Sequence, residues 1–216
     1  MSRSSRRRKT GKIALVAALA ATVIALELAR AGIADFLRLE PCAYLDLVQA
    51  SGRRPDPALL GKAKDRLELA RRIDPDNPVV REYLAVVYVH RARLVAHDLP
   101  LHIGYLERAE SDYRDALVLR PNSPYLWAGL VVVRGGLLAA RMQRHDGAGE
   151  VAQQRADFQS ALRRAISMSA YEPAALEAIV RTAAPLRDTL DEDVVRGVAD
   201  VRARLEILRH NGAPPL

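Results

Sequence analysis

One cysteine, Cys42, occurs in 216 residues. It cannot close an intramolecular disulfide and has no second thiolate for a zinc site. It reads as a small apolar residue near a helix start, with an intermolecular disulfide as the alternative if the domain lies in an oxidising compartment. Leu39-Glu40-Pro41 does not have the form of a lipoprotein cleavage motif, so lipidation of Cys42 is not expected. Aromatics are scarce at 5 %, and no stretch alternates apolar and polar residues between hairpin turns, which argues against a β fold. A catalytic spacing is also missing. His90 and His97 lie seven apart, but His102 falls beyond Pro100, so these histidines read as exposed or capping groups rather than metal ligands. Gly147-Ala148-Gly149 has no preceding strand and no third glycine, so it reads as a loop. Asp191-Glu192-Asp193 reads as negative charge at a helix N-terminus rather than a carboxylate pair. The expectation is a protein that is not an enzyme and takes no cofactor or metal.

The basic excess lies almost wholly in one place. Residues 1–12 hold Arg3, Arg6, Arg7, Arg8, Lys9 and Lys12 and no acid. Of 33 basic residues, 27 remain for the other 204 positions, against 26 acids, so the body carries +1 of the total +7. That near-neutral body offers no long phosphate-binding surface, and no nucleic acid partner is expected.

Ala, Leu, Val and Arg dominate what is present, a composition that favours helix. The basic tail runs into fourteen uncharged residues, Ile13–Leu26, followed by Glu27 and Arg30. A bilayer core takes about 20 apolar residues. A span from Thr10 to Leu28 is just long enough if Glu27 and Arg30 pair at the far interface with their stems along the lipid. Residues 13–34 therefore read as a transmembrane helix or signal anchor. The tail 1–12 is placed in the cytoplasm and the rest in the periplasm or outside, the expected topology of a single-pass inner-membrane protein. A cleaved signal peptide is the alternative, since Ala29-Arg30-Ala31 is small-x-small; a core helix or an organelle presequence are others.

The same spacing then recurs 46 positions apart. Ala63, Leu67, Ala70, Pro75 and Pro78 match Ala109, Tyr113, Ala116, Pro121 and Pro124, and a weaker copy runs Phe158, Leu162, Ala165, Ala170, Pro173. Small residues let helices approach, and the prolines end one helix and open the next. Residues 35–56 read as a connecting helix opened by Pro41 and a linker at Arg53-Arg54-Pro55. Residues 57–190 read as helix pairs, and 191–216 as a capping helix and tail. In that last helix Val194, Val198, Val201, Leu205 and Leu208 form one stripe, Thr189 and Glu192 have capping-box spacing, and Asn211-Gly212 and Pro214-Pro215 stop it. Gly135-Gly136 implies either a helix break or close backbone packing, with packing preferred, and Pro185 implies a kink.

These features resemble tetratricopeptide (TPR) repeats. The small–large–Ala–Pro spacing fits the family's second helix. Trp127 and Leu130 fit its first helix after Pro124, although Val131 replaces the usual small residue. Leu84, Ala85 and Tyr88 fit after Pro78, although Arg81 replaces the aromatic. The period departs from the family's 34, implying longer helices or loops within each pair. The resemblance implies an all-α fold: a transmembrane helix, then an α-solenoid of TPR-like hairpins with a C-terminal capping helix. The layout is also similar to the VpsP-type family of exopolysaccharide biosynthesis proteins, which implies a role in envelope polysaccharide assembly.

A TPR-like domain would bind a protein or peptide along the first helix of each pair. Transferred to this chain, the groove positions are Glu82, Val86, Val89 and His90, then Tyr125, Ala128 and Val132, then Glu177 and Arg181. The expected function is a membrane-anchored adaptor. The alternatives are an accessory subunit packing laterally in a membrane complex through Ala14, Ala17, Ala18 and Ala21, or an accessory to a glycan-acting enzyme.

Overall fold

The computed structural model describes residues 3–169 and 172–210, with side chains from residue 18 onward. Every regular element among them is helical: α1 (Arg3–Ser51), α2 (Pro57–Ile73), α3 (Pro78–Leu94), α4 (Leu99–Leu119), α5 (Pro124–Arg144), α6 (Ala148–Met168), α7 (Pro173–Ala183), a 3-10 segment (Ala184–Thr189) and α8 (Glu192–His210). The chain is thus all-α, as its composition and patterning predict.

The helix starts follow from local chemistry. The Asp56 carboxylate accepts from the Ala58 and Leu59 amides, Asn77 from Val79 and Val80, Asp98 from Leu101, and Ser123 from Leu126. In α2, α3 and α5 proline takes the first turn, where its missing N–H costs nothing. The ends are equally regular. The amides of Asp74, Arg120 and Ser169 each donate to an alanine carbonyl four residues back, Ala70, Ala116 and Ala165. These alanines and their partners Leu67 and Leu162 are fully buried. Ala63, Ala109, Tyr113 and Phe158 are buried as well. Ala170 of the third copy lies outside the described residues, as do the stop residues after His210.

Helix packing is serial. Each helix makes its substantial contacts with neighbours one or two places along the chain, as in α3 on α4, α5 on both α6 and α7, and α8 on α6 and α7. Close approach is built into α5. A side chain at Gly135 would meet Thr182 Cγ2 of α7 at 2.5 Å, and one at Gly129 would meet the Tyr113 ring of α4. The helix runs unbroken through Gly135-Gly136, so close packing accounts for that pair.

Three local expectations are corrected. Pro41 does not open a separate helix: α1 continues through it to Ser51. Ala34 before it and Leu45 and Val48 after it are all buried, and that packing holds the helix across the one lost hydrogen bond. Thr189 forms no capping box, because its hydroxyl donates back to the Leu186 carbonyl at 2.6 Å and α8 starts beyond Asp191. Pro185 does more than kink α7, since the chain tightens into the 3-10 segment there.

α1 and α2 are antiparallel. Tyr44 meets Asp56, the Glu40 carboxylate accepts from Arg66, and Arg30 Nε and a terminal nitrogen donate to the Ile73 carbonyl at 3.1 and 2.9 Å. Residues before Arg30 therefore run past the end of α2. There Leu19, Val23, Ile24, Leu26 and Leu28 are 59–69 % exposed. The side chains of residues 13–17, the first part of the apolar run, lie outside the described residues. Among the described residues, the helix long and apolar enough to cross a membrane is Pro124–Arg144, and half of that stretch is buried in the domain. Its burial marks it as the central core helix.

Candidate partner-binding face

The repeated turns set the register of α3 and α5. Arg81 and Trp127 occupy matching positions 46 apart and do the same job: Arg81 Nε donates to the Pro75 carbonyl at 3.0 Å, and Trp127 Nε1 to the Pro121 carbonyl at 2.8 Å. The departure from the aromatic pattern at Arg81 thus preserves the hydrogen bond. The partners switch in step. Arg81 pairs with Asp115 of α4 at 2.6 Å, while at the matching place in α6 Arg164 lies 5.8 Å over the Trp127 ring. A carboxylate suits a guanidinium, and a guanidinium suits an indole face.

With α3, α5 and α7 so fixed, the nine groove positions divide by burial. Val86, Val89, His90 and Ala128 are buried and show a partner almost no surface. Glu82, Val132 and Glu177 are half-buried, and Tyr125 and Arg181 are exposed. Glu82 sits opposite Arg120 at 3.8 Å. Burial raises its carboxyl pKa, Arg120 opposes that rise, and Asp46 of α1 adds to it. Tyr125 is 49 % exposed and donates to Glu172 at 2.6 Å. That hydrogen bond and the neighbouring charge raise the phenol's pKa. Glu177 is held by Arg209 of α8 at 3.1 Å.

The structure adds three residues to this face. Glu172 partners Tyr125, and Arg120 partners Glu82. Arg93 continues the spacing Glu82, Val86, Val89, Arg93 along α3. Desolvation, and then the charge of Arg181 on α7, lower the Arg93 pKa. The four–three–four spacing along α3 is a signal that points to Arg93; the pairing of Tyr125 with Glu172, 47 positions away, has no local signature. The face is acidic around Tyr125, with Glu82 and Glu172, and basic around Arg93 and Arg181.

His90, Asp112 and Cys42 lie inside the domain, and His102 is half-buried at its edge. His90 is held neutral, its pKa lowered to about 4 by burial and then by Arg93. Asp112 of α4 lies 3.6 Å from Arg71 and has its pKa raised to about 6 by burial. His102 Nδ1 donates to the Ala92 carbonyl at 2.8 Å. Cys42 is buried, and burial lifts its thiol to about 11. That leaves little thiolate for disulfide chemistry. Among the described residues no group of three or more His, Cys, Asp or Glu is placed to hold a metal.

Models of known protein families give no match to the chain, and a search of curated proteins gives no significant one either.

Proposed function

We propose that this chain is a membrane-anchored, TPR-like adaptor that presents a protein-binding face outside the membrane and performs no chemistry of its own. The observation that carries the reading is α1. A single helix leads from an apolar segment that the domain leaves uncovered into the domain's own core at Ala34, Leu45 and Val48. Such a helix transmits the orientation of an embedded segment directly to the body. Arg30 supports the same placement. It bonds Glu27 at 2.9 Å as well as Ile73, so the first charges after the apolar run are tied to the end of α2. The basic tail then lies in the cytoplasm and the stack in the periplasm or outside.

Serial packing and the buried alanines of the repeated segments support a solenoid-like stack, which offers extended faces rather than a closed pocket. The partner-binding part rests on Tyr125 and Arg181. An exposed tyrosine between carboxylates, with arginines further along, suits a protein segment carrying a basic residue at one end and an acidic one at the other. Envelope polysaccharide assembly is the setting the VpsP-type resemblance suggests. A second reading, a small subunit packed laterally in a membrane complex, is favoured by the exposed apolar outer side of α1.

Two experiments test the proposal. Sodium carbonate extraction should leave the full chain in the membrane pellet, and release to the supernatant would remove the anchor. A photo-crosslinking amino acid at Tyr125 or Arg181 should give discrete adducts that the same probe at Arg196 on α8 does not. Identical patterns at all three sites, or no adduct, would remove the binding face.

A further inference from the structure

The outer side of α1 is apolar well beyond the residues that the membrane reading needs. Ala29, Gly32, Phe36, Leu39 and Ala43 follow one another at intervals of 3, 4, 3 and 4, all exposed. Phe36 is 75 % exposed and Leu39 61 %, and Leu47 beside the row is 67 % exposed. Ala34, Leu45 and Val48, which face the domain, lie on the opposite side of the helix. These intervals are those of a two-helix seam with a seven-residue repeat. Upstream the spacing continues through Ala25, Thr22 and Ala18, giving a row roughly 38 Å long at 1.5 Å per residue.

We infer that this seam pairs with the same seam of a second copy, making a parallel homodimer about an axis along the membrane normal. The inference rests on the membrane reading, because two chains inserted with one topology present α1 in parallel. Charge argues for a like partner. A parallel pair sets each residue against itself, so a charged seam would repel its copy; this seam has no charge from Ala18 to Ala43. Of the acids beside it, Asp35 is paired with Arg38 at 2.7 Å and Glu40 with Arg66, and Asp46, where the uncharged row ends, accepts from the Tyr83 hydroxyl at 2.8 Å. Gly32 has nothing within 4 Å of where a side chain would start, leaving room for close approach. Symmetry also favours this arrangement. A pair joined through one self-complementary patch closes on itself, whereas α1 docking on the α8 end of another copy would grow a filament.

The test is single-cysteine crosslinking of the full chain in membranes, in a Cys42→Ala background. Phe36→Cys and Leu39→Cys should each form a disulfide-linked dimer under mild oxidation, and Arg196→Cys on α8 should not. A parallel pair sets every seam position against itself, whereas an antiparallel pair does so only near its two-fold axis, so Ala25→Cys and Ala43→Cys should crosslink as well. Phe36→Glu combined with Leu39→Glu should halve the particle mass in detergent while leaving the domain's helicity unchanged. Absence of seam crosslinks, crosslinks to a protein of another mass, or quenching of a Phe36→Cys fluorophore by lipid-borne quenchers would each overturn the homodimer. Carbonate extraction of the same variants reads the anchor separately: pelleted but uncrosslinked chains sink the dimer alone, whereas released chains sink the membrane reading beneath it.

Discussion

Helix α8, the last described helix, has Val194, Val201 and Leu205 turned inward and Arg196, Asp200, Arg202 and Glu206 outside. Helix α1 at the other end turns Ala34, Leu45 and Val48 inward and still shows Phe36, Leu39 and Leu47 to the outside. Both ends are fastened to their neighbours by charge. Arg163 of α6 grips Asp191 and Asp193 at 2.9 and 2.8 Å, and Arg30 grips the end of α2. The difference lies in the number of apolar faces. A terminal helix with one apolar stripe finishes a stack. A terminal helix with two leaves a second apolar face that its own domain does not cover. On the proposed reading the two ends therefore teach different things: α8 is a boundary, and α1 is a junction.

The largest effect expected from that contrast is at α8. Val201 is fully buried, so Val201→Asp would put an unpaired carboxylate inside the cap and should cost roughly 3 kcal/mol or more in urea unfolding. Ile207, 59 % exposed on the same helix, should tolerate aspartate within about 0.5 kcal/mol. Equal losses at the two positions would mean that α8 has no free outer face, and the boundary reading would fail.

Much of this architecture was legible because it is local. Ala63, Ala70, Pro75 and Pro78 and their later copies mark buried helix contacts and tight turns through spacing alone, and Asp56, Asn77 and Ser123 mark the starts. What could not be read depends on distant partners. Pro41 signals a helix start by itself, and only packing on both of its sides keeps α1 whole. Arg81 breaks the aromatic pattern until Pro75 and Asp115 show that it performs the tryptophan's task. Thr189 has the spacing of a cap but spends its hydroxyl on Leu186. The binding face was half legible: helical register gave the positions, but register does not say which are already covered, so Val86, Val89, His90 and Ala128 fell on buried ground.

A mid-sized effect separates the two halves by pH. His90 and Asp112 lie on α3 and α4, next to the α1 end, and both are buried with shifted pKa values. The His90 pKa falls from 6.5 to about 4 on folding. Its contribution is therefore complete above the unfolded value and is lost as pH drops through the folded one. The Asp112 pKa rises from 3.8 to about 6. Its contribution is complete below the unfolded value and is lost as pH climbs through the folded one. Acidification from pH 7 to 5 thus stabilises through Asp112 and destabilises through His90. His90→Leu should gain stability over that interval relative to the parent, and Asp112→Asn should lose it, each by about 1–2 kcal/mol. Hydrogen exchange should place the change in α3 and α4 and leave α8 still. A uniform response along the stack would erase the distinction between the halves.

A smaller loss is expected at the joint between α1 and α2. Arg30 is exposed over 44 % of its side chain, so solvent screens its two bonds to Ile73, and Arg30→Met should cost roughly 0.5–1 kcal/mol. Thermal unfolding reads that loss, and hydrogen exchange should show it as faster exchange in the last turn of α2.

The smallest effect is the most discriminating. If the outer face of α1 has no partner within its own chain, removing its largest side chain should hardly alter the fold. Phe36→Ser, at a position 75 % exposed, should then change the domain's unfolding free energy by no more than about 0.5 kcal/mol when the chain is dispersed as monomers in detergent. The same trimming on the inner face, Leu45→Ala at a fully buried site, should cost about 2–5 kcal/mol. Two residues less than three turns apart on one helix would thus differ several-fold because one faces the domain and the other faces whatever lies outside it. A penalty at Phe36 comparable to that at Leu45 would mean that α1 has no outer face free, and the asymmetry between the two ends of the stack would disappear.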